Sequence, residues 1–274
     1  MNIKDQATGS NGSNAVPALE PLTSELQDKK QIQTDKMFSI FPPPKPTKRI
    51  QALVARLDAF CQKHALLDPN LPILIALSGG ADSVFLLYYL QLRSCRLTAL
   101  HVNHMLRGPQ AERDARFCQM LCSAWNIPFV CVTCDVSAQA KQTGESTETT
   151  ARMMRYEALG DFCDTQTAQG QMTPRIAAAH HADDQAETIL MHLLRGSDLR
   201  GSCGMRPTRR IFTPKGLQTT LIRPFLCLRK EEILYACRTL SLPYVTDETN
   251  DSTAYTRNRV RRALAPLCAN DFCG

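Results

Sequence analysis

The chain has 274 residues, of which 43% are hydrophobic and 21% charged, and its formal net charge is +6. These values are typical of a soluble globular protein with one large domain or two small ones. No apolar run approaches the roughly 18 residues of a membrane span, and residues 1–20 lack the basic start and apolar core of a secretory signal. We therefore expect a cytoplasmic protein rather than a membrane or secreted one.

The first 48 residues contain 6 of the 16 prolines and show no sustained periodicity. They are predicted to form a disordered N-terminal arm, residues 1–48. From residue 49 onward, apolar strand-like runs alternate with helix-like stretches. Strands are predicted at 73–77, 97–102, 129–133 and 176–180, and helices near 82–92, 110–125, 147–163 and 183–195.

This alternation predicts the fold class. Near-continuous apolar strands separated by helices are typical of an α/β protein with a Rossmann-like, doubly wound, mainly parallel sheet and helices on both faces. The catalytic domain is predicted to span residues 49–245, and a basic helical segment at residues 246–274 is expected to pack on it. Ligands of such sheets bind at the carboxyl ends of the strands.

Polar residues follow each of the predicted strands. The strands lead, in chain order, into Ser78–Ser83 (SGGADS), into His101, Asn103 and His104, into Asp135, and into His180–Asp184 (HHADD). The carboxyl ends of parallel strands share one edge of the sheet, so these residues predict a binding site there.

The SGGADS loop has the composition of an anion-binding turn. Gly79 and Gly80 allow positive φ and a close approach of a ligand to the backbone. Successive N–H groups, together with the start of the next helix, would bind phosphate oxygens. Asp82 either caps that helix or holds a Mg²⁺ ion that bridges phosphates. The sequence has no Gly-Lys-Ser/Thr segment, so a Walker A loop is not expected.

The helix predicted after His181 carries two carboxylates near its start. Asp184 and Glu187 are three residues apart, and such a pair suits an ammonium group or a metal ion. The alternative is that they are first-turn acids favoured by the helix dipole. Another face is predicted to be buried, because its apolar residues recur at helical spacing: Ala186, Ile189, Leu190, Leu193 and Leu194.

Other polar residues also have two interpretations. The histidines at 101, 104, 180 and 181 would contact nucleotide phosphates or ribose, or would satisfy hydrogen bonds at strand ends, since their spacing is not that of a zinc site. Arg152 and Arg155 would form a salt-bridged surface with Glu148, or would face a phosphate or a base. Cys131 and Cys134 are predicted to pack in the core, because residues three apart in a strand point to opposite faces.

The C-terminal half is basic. Residues 195–262 hold 14 Lys and Arg against 6 Asp and Glu, which favours a polyanionic partner over an ordinary solvated surface. The arginines at 257, 259, 261 and 262 form either a cationic helix end or a contact with RNA phosphates.

Several segments occur in the order and spacing of one known family: SGGADS (78–83), HVNHMLRG (101–108), ESTETTARMMRYEAL (145–159), HHADDQAETILMHLLRGSDLRGSCGM (180–205), IRPFL (222–226) and TRNRVRRALAPL (256–267). Over residues 50–267 the chain resembles the tRNA(Ile)-lysidine synthetases, a family of PP-loop ATP pyrophosphatases. The resemblance implies that ATP adenylates the C2 oxygen of the wobble cytidine in a tRNA(Ile) with a CAU anticodon. The ε-amine of free lysine then displaces AMP and gives lysidine.

The resemblance also assigns roles to residues. ATP is expected to bind Ser78, Gly79, Gly80, Ala81, Asp82, Ser83, His101, Asn103 and His104, with Asp82 on Mg²⁺. Asp82, Asp184, Glu187 and Arg155 are the expected catalytic residues, and Asp184 and Glu187 would hold lysine. Contacts with tRNA are expected from Arg152, Arg155, Arg195, Arg206, Arg257, Arg259, Arg261 and Arg262.

Many family members continue past the catalytic domain, and this chain resembles their compact, catalytic-domain form. Selection of the tRNA is then expected from residues 195–262, from the N-terminal arm, or from a second subunit of a homodimer. Two alternatives stay open. A PP-loop tRNA thiolase would use an iron–sulfur cluster or a sulfur carrier, and a non-catalytic ATP- and RNA-binding protein would release no pyrophosphate.

Overall fold

The computed structural model describes residues 43–194, residue 196 and residues 203–246. The elements in chain order are α1 (Lys48–Lys63), β1 (Ile73–Ala76), α2 (Ala81–Leu92), β2 (Leu97–Asn103), α3 (Pro109–Ala124), β3 (Phe129–Thr133), α4 (Val136–Thr143), α5 (Thr147–Ala168), β4 (Arg175–Ala177), α6 (Ala182–Leu194), β5 (Thr208–Phe212), β6 (Gln218–Ile222), a 3₁₀ turn (Pro224–Cys227) and α7 (Lys230–Thr239). Residues 1–42 and 247–274 lie outside this description, so the arm and the C-terminal segment stay predictions.

A six-stranded sheet with the strand order β3-β2-β1-β4-β6-β5 forms the centre of the fold. Every neighbouring pair is parallel except β5 and β6, which form an antiparallel hairpin. The predicted α/β class with a mainly parallel sheet is confirmed. All the predicted strands are present, although β4 ends at Ala177 and does not reach residue 180.

The sequence analysis missed α1, α4, the β5–β6 hairpin and α7. β5 was missed because all its residues but one are exposed, so its sequence TRRIF contains no apolar run. β6 (QTTLI) is likewise half polar, and only the neighbouring strands show which of its faces is buried. None of the described helices has the length and apolar character needed to cross a membrane.

Alternate residues of the central strands pack into two separate cores. Ile73 and Ile75 of β1 belong to the core that contains α1, α2 and α7, whereas Leu74 packs with residues of α5 on the opposite face. Successive strand side chains point to opposite faces, so both faces need helices. α2 is deeply inserted, since every residue from Ser83 to Leu90 is buried. This packing holds the start of α2 at the carboxyl end of β1.

One buried carboxylate attaches the β5–β6 hairpin to α5. Asp164, which is 5% exposed, accepts hydrogen bonds from the Thr213 hydroxyl at 2.6 Å and the Lys215 backbone N–H at 3.1 Å. Asp164→Ala would leave both donors without this acceptor, so we expect the free energy of unfolding to fall by about 1–3 kcal/mol. Urea denaturation measures the change. The control Asp161→Ala removes an exposed carboxylate from the same helix, and an equal effect there would contradict the prediction.

Candidate active site

The SGGADS loop joins β1 to α2 at the carboxyl edge of the sheet. Gly79 has a φ of +85°, and a Cβ atom there would lie 3.1 Å from the Cys118 sulfur and 3.2 Å from the Phe117 ring. Both conformation and space therefore require glycine at position 79. Gly80 has a φ of −71° and is the N-cap of α2. Of the two glycines that allow a positive φ, only Gly79 adopts one.

Two serine hydroxyl groups form hydrogen bonds within the SGGADS loop. Ser83 Oγ lies 3.1 Å from Ser78 Oγ, accepts from the Ser78 N–H at 3.2 Å and donates to the Gly80 carbonyl at 3.0 Å. Gly80 provides no side-chain cap for α2, and the first N–H groups of a helix have no partner within that helix. The loop and the helix start are therefore suited to bind phosphate.

Asp82 lies in the first turn of α2 and forms an ion pair with Lys230. Its two carboxylate oxygens accept from Lys230 Nζ at 2.6 and 2.7 Å. Lys230 is the first residue of α7, and its backbone N–H donates to Asp183 Oδ2 at 2.7 Å. Since Asp183 belongs to the first turn of α6, the starts of α2, α6 and α7 meet at Lys230.

Mg²⁺ fits the Asp82 carboxylate in donor type, because Mg²⁺ prefers one or two carboxylates together with phosphate oxygens. Both Asp82 oxygens already accept from an ammonium group, so Mg²⁺ would share the carboxylate with Lys230 or displace Lys230. Within the described part of the chain, no group of three or more His, Cys, Asp or Glu side chains could hold a metal ion. A Mg²⁺ ion on Asp82 would therefore take its other ligands from a nucleotide and water.

A cavity of about 390 Å³, the loop cavity, opens beside this loop. Its volume falls in the range of small-molecule sites. Its wall brings together the predicted residues Ser78, Asp82, Ser83, His101, Asn103, His104, Arg152, Arg155 and His180. Asp114 and Tyr156 also line it and were not predicted. Residues from different strand ends and helices thus face one space.

His101 and His104 have different environments in this cavity. His101 Nδ1 lies 2.8 Å from the Leu77 carbonyl oxygen, which supports the alternative of a hydrogen bond between strand ends. Burial lowers the pKa of His101. Burial first, and then the positive charge of Arg155, lowers the pKa of His104 to about 4. Both imidazoles are therefore neutral at pH 7.

The neutral His104 ring has a buried donor without a partner among the described residues. Its Nε2 atom lies 3.3 Å from Arg155 Nη2. A guanidinium can only donate, so Nε2 accepts and the ring proton is on Nδ1. Nδ1 is buried and has no hydrogen-bond partner among the described residues. Because an unpaired buried donor costs free energy, this N–H is suited to an acceptor on a bound ligand.

Removing the neighbouring charge should raise the pKa of His104. In Arg155→Gln the charge is lost while burial, the larger cause, remains, so we expect a value above 4 and below the ordinary 6.5. NMR titration of the His104 ring measures it. Arg107→Gln is the matched control, since Arg107 is the smallest contributor and should have less effect. An unchanged pKa in Arg155→Gln would contradict this electrostatic coupling.

Helix α6 buries a different face from the one predicted. Glu187 is only 2% exposed, whereas Leu193 and Leu194 are 53% and 65% exposed, and Ala186 is also exposed. The predicted apolar buried face is therefore wrong for the described structure. The reason is that α6 packs near its start, where the Ala182 N–H donates to the Leu228 carbonyl at 2.7 Å.

The two predicted lysine-binding carboxylates lie at this start of α6. Asp184 Oδ2 accepts from the His181 backbone N–H at 3.0 Å, so the alternative of a first-turn acid describes part of its role. Glu187 follows one turn later and is buried. Neither carboxylate is in the wall of the loop cavity.

The remaining predicted residues are distributed as follows. Arg206 is exposed and lines a second cavity, which it shares with Arg152. The arginines at 195, 257, 259, 261 and 262 lie outside the described residues. Cys131 in β3 and Cys134 just after it are half-buried, and burial raises the pKa of both thiols, which is consistent with packing in the core.

Several residues near the site had no assigned role in the sequence analysis, among them Asp114 and Tyr156 in the loop cavity, Arg223 in the second cavity and Lys230 beside Asp82. Lys230 gives no local signal, because its partner Asp82 is 148 residues away. Asp114 occurs in an ordinary charged stretch of α3, so its sequence context does not distinguish it. The tertiary structure places it in the wall of the loop cavity. Arg223 lies in the segment IRPFL, which matched the family pattern, and that match was the one available signal.

Comparison with known proteins agrees with this geometry. A family described as a PP-loop domain matches residues 49–268. The chain is 39% identical over 211 residues to the tRNA(Ile)-lysidine synthase of Bacillus subtilis, covering 76% of this chain and 43% of that protein. It is 36% identical over 206 residues to that of Thermotoga maritima, covering 74% and 46%. The chain thus spans less than half the length of these curated relatives.

Among solved structures, the U34-tRNA thiolase NcsA of Methanococcus maripaludis with its 4Fe-4S cluster has a TM-score of 0.60 at 20% identity, covering 80% of this chain and 73% of that one. This likeness shows a shared fold. The sequence identity to the two synthases confirms the resemblance to tRNA(Ile)-lysidine synthetases that the motifs indicated. Because the family match also covers most of its length, this chain belongs to the PP-loop domain family.

Proposed function

We propose that the protein ligates lysine to the C2 position of the wobble cytidine of tRNA(Ile) with a CAU anticodon. The reaction consumes ATP, proceeds through an adenylated tRNA and gives lysidine, AMP and pyrophosphate. The observation that carries the proposal is the loop cavity, in which the SGGADS loop, His104 and Arg155 face one another. The names of the curated relatives support the choice of tRNA and lysine.

ATP would bind between the loop and the carboxyl ends of the strands. The N–H groups of residues 79–83 and the start of α2 would hold the pyrophosphate part. His104 Nδ1–H would donate to an acceptor atom of the nucleotide, and Arg155 would balance the charge at the attacked phosphate. These groups act by positioning and by charge neutralisation, which are the main contributions in transfers of this kind.

Asp82 is the residue that would hold Mg²⁺, and the ion when bound would neutralise phosphate charge. In the described structure Asp82 is paired with Lys230. We propose that Lys230, once released from Asp82, provides a second positive charge for the phosphates.

Lysine would be selected as a cation by Asp184 and Glu187. Both lie near the start of α6, one helical turn apart, and a pair of carboxylates at this spacing suits an ammonium group. The amine must lose its proton before it attacks, so the carboxylates act in selection and orientation. The tRNA would be held by Arg152, by Arg206 and by the basic residues beyond the described part of the chain. A homodimer stays a prediction.

Pyrophosphate release with ATP, a CAU-anticodon tRNA transcript and lysine, leaving out each in turn, tests this proposal. We expect release that requires ATP and tRNA, and lysidine, detected by mass spectrometry of the digested tRNA, that also requires lysine. ATP binding without pyrophosphate release would instead support a non-catalytic ATP- and RNA-binding protein. Sulfur incorporation into tRNA from a sulfur donor would support a thiolase.

A further inference from the structure

A second cavity, of about 650 Å³, adjoins the loop cavity. Arg152 and His180 belong to the walls of both. The second cavity, here the arginine cavity, is strongly basic: its charged lining residues are Arg152, Arg206, Arg209 and Arg223 against the single carboxylate of Glu148. A cavity with this charge is suited to an anionic group.

Arg223 is the least exposed of these arginines, at 3%. Its Nη1 donates to the Arg206 carbonyl at 2.8 Å, but its Nε–H has no hydrogen-bond partner among the described residues. A buried guanidinium costs free energy unless its charge and donors are compensated. Burial is the main cause that lowers the pKa of Arg223; Tyr156, which also forms a side-chain hydrogen bond with Arg223, opposes this shift, and the positive charges of Arg209 and Arg152 add to it. An anion in the cavity would relieve this repulsion and accept from the free N–H.

The fold holds these arginines in place. Arg209 of β5 lies opposite Leu221 of β6 in the hairpin, and Arg223 follows Leu221 by two residues. Residues that face each other across the hairpin, or alternate along a strand, project from the same side of a sheet. On the other wall, the Arg152 guanidinium lies 5.1 Å from the centre of the Tyr156 ring. Contacts within the fold therefore fix Arg152 and Arg223, and the hairpin places the exposed Arg209 on the same side of the sheet.

We propose that the arginine cavity binds a backbone phosphate of the RNA substrate, next to the nucleotide that is modified. This inference rests on the proposed function. In the proposed function the phosphates of ATP bind at the SGGADS loop, which belongs to the loop cavity and not to the arginine cavity. A target base that enters the loop cavity brings its own backbone phosphates with it, and phosphate contacts are what set the register of a bound nucleic acid. Four guanidiniums suit a phosphodiester chain better than one carboxylate of lysine.

Arg209→Gln tests this proposal, with Arg210→Gln as its matched control. Both arginines are exposed residues of β5, but neighbouring strand residues point to opposite faces, and Arg210 does not line the cavity. The probe is an anticodon stem-loop RNA with a CAU loop, bound without ATP over a range of salt concentrations. We expect Arg209→Gln to weaken binding about tenfold and to reduce the log–log salt slope by about 0.7. Arg210→Gln should change both far less.

Arg223→Lys and Arg223→Gln provide a second line of evidence, once thermal denaturation shows that they fold. Both should raise the KM for tRNA without changing the KM for ATP. Equal losses of RNA binding in Arg209→Gln and Arg210→Gln would overturn the proposal in favour of general surface charge. A raised lysine requirement with unchanged RNA binding would overturn it in favour of a site for the lysine carboxylate. The binding assay needs no catalysis, so a protein that makes no lysidine would refute the proposed function and leave this test valid.

Discussion

Asp82→Asn is expected to reduce pyrophosphate release by about two to three orders of magnitude while the fold is retained. The neutral amide keeps an acceptor oxygen but lacks the negative charge that favours Mg²⁺ and forms the ion pair with Lys230. The cost in stability should be small, because the two side chains are 30% and 39% exposed and such pairs contribute about 0–1 kcal/mol. Thermal denaturation measured beside pyrophosphate release separates the two effects.

Lys230→Met is the matched comparison, since it breaks the same ion pair by removing the ammonium group and keeps the Asp82 carboxylate. If the Asp82 carboxylate holds the Mg²⁺ ion of the nucleotide, the Lys230→Met variant should retain more pyrophosphate release than the Asp82→Asn variant. Equal losses would mean that the reaction requires the ion pair itself. Near-normal release in Asp82→Asn would contradict the role proposed for this carboxylate.

Substitution of the two carboxylates on α6 should affect the second half of the reaction. We expect Glu187→Gln and Asp184→Asn to slow lysine transfer while the adenylated tRNA still forms. Loss of a charge-assisted hydrogen bond should raise the lysine requirement by roughly ten- to a hundredfold, or about 1.5–3 kcal/mol. Asn at position 184 keeps an oxygen for the His181 N–H, so the start of the helix should persist. Single-turnover assays that resolve adenylated tRNA from lysidine measure the two steps.

The control for this pair is Glu231→Gln, which makes the same change in the first turn of α7 at a side chain that is 73% exposed. It should leave both steps unchanged. If Glu187→Gln or Asp184→Asn instead loses adenylation and keeps its lysine dependence, the two carboxylates serve the nucleotide or a metal ion. The assignment of lysine to them would then be wrong.

Features that depend on neighbours in the chain could be predicted from the sequence. The run ILIA had to be a buried strand because both of its faces are apolar, and alternation with helices then required a parallel sheet. The turn at Gly79 was recognisable for a similar reason, since glycine tolerates both the positive φ and the close contact with Phe117. The motifs between His101 and Leu267 identified the family because their order and spacing are properties of the chain alone.

Predictions failed where the outcome depends on what an element packs against. Helical periodicity predicted a buried apolar face on α6, but periodicity does not say which face meets the protein, and the structure buries Glu187 while Leu193 stays exposed. A local sequence pattern shows which conformations or buried faces are possible. The elements that pack against the segment determine which of them occurs.

Only the tertiary structure joins residues that are far apart in sequence. Lys230 reaches Asp82 because α7 packs against α2, and Arg209 reaches Arg223 because β5 and β6 form a hairpin. Charged groups interact through space over a few ångströms. The spacing of residues along the chain does not show which distant residues come that close. The sequence by itself therefore determined the four parallel strands β1 to β4, the turn in the SGGADS loop and the family, whereas the β5–β6 hairpin, the ion pair on Asp82 and the arginine cavity were decided by packing.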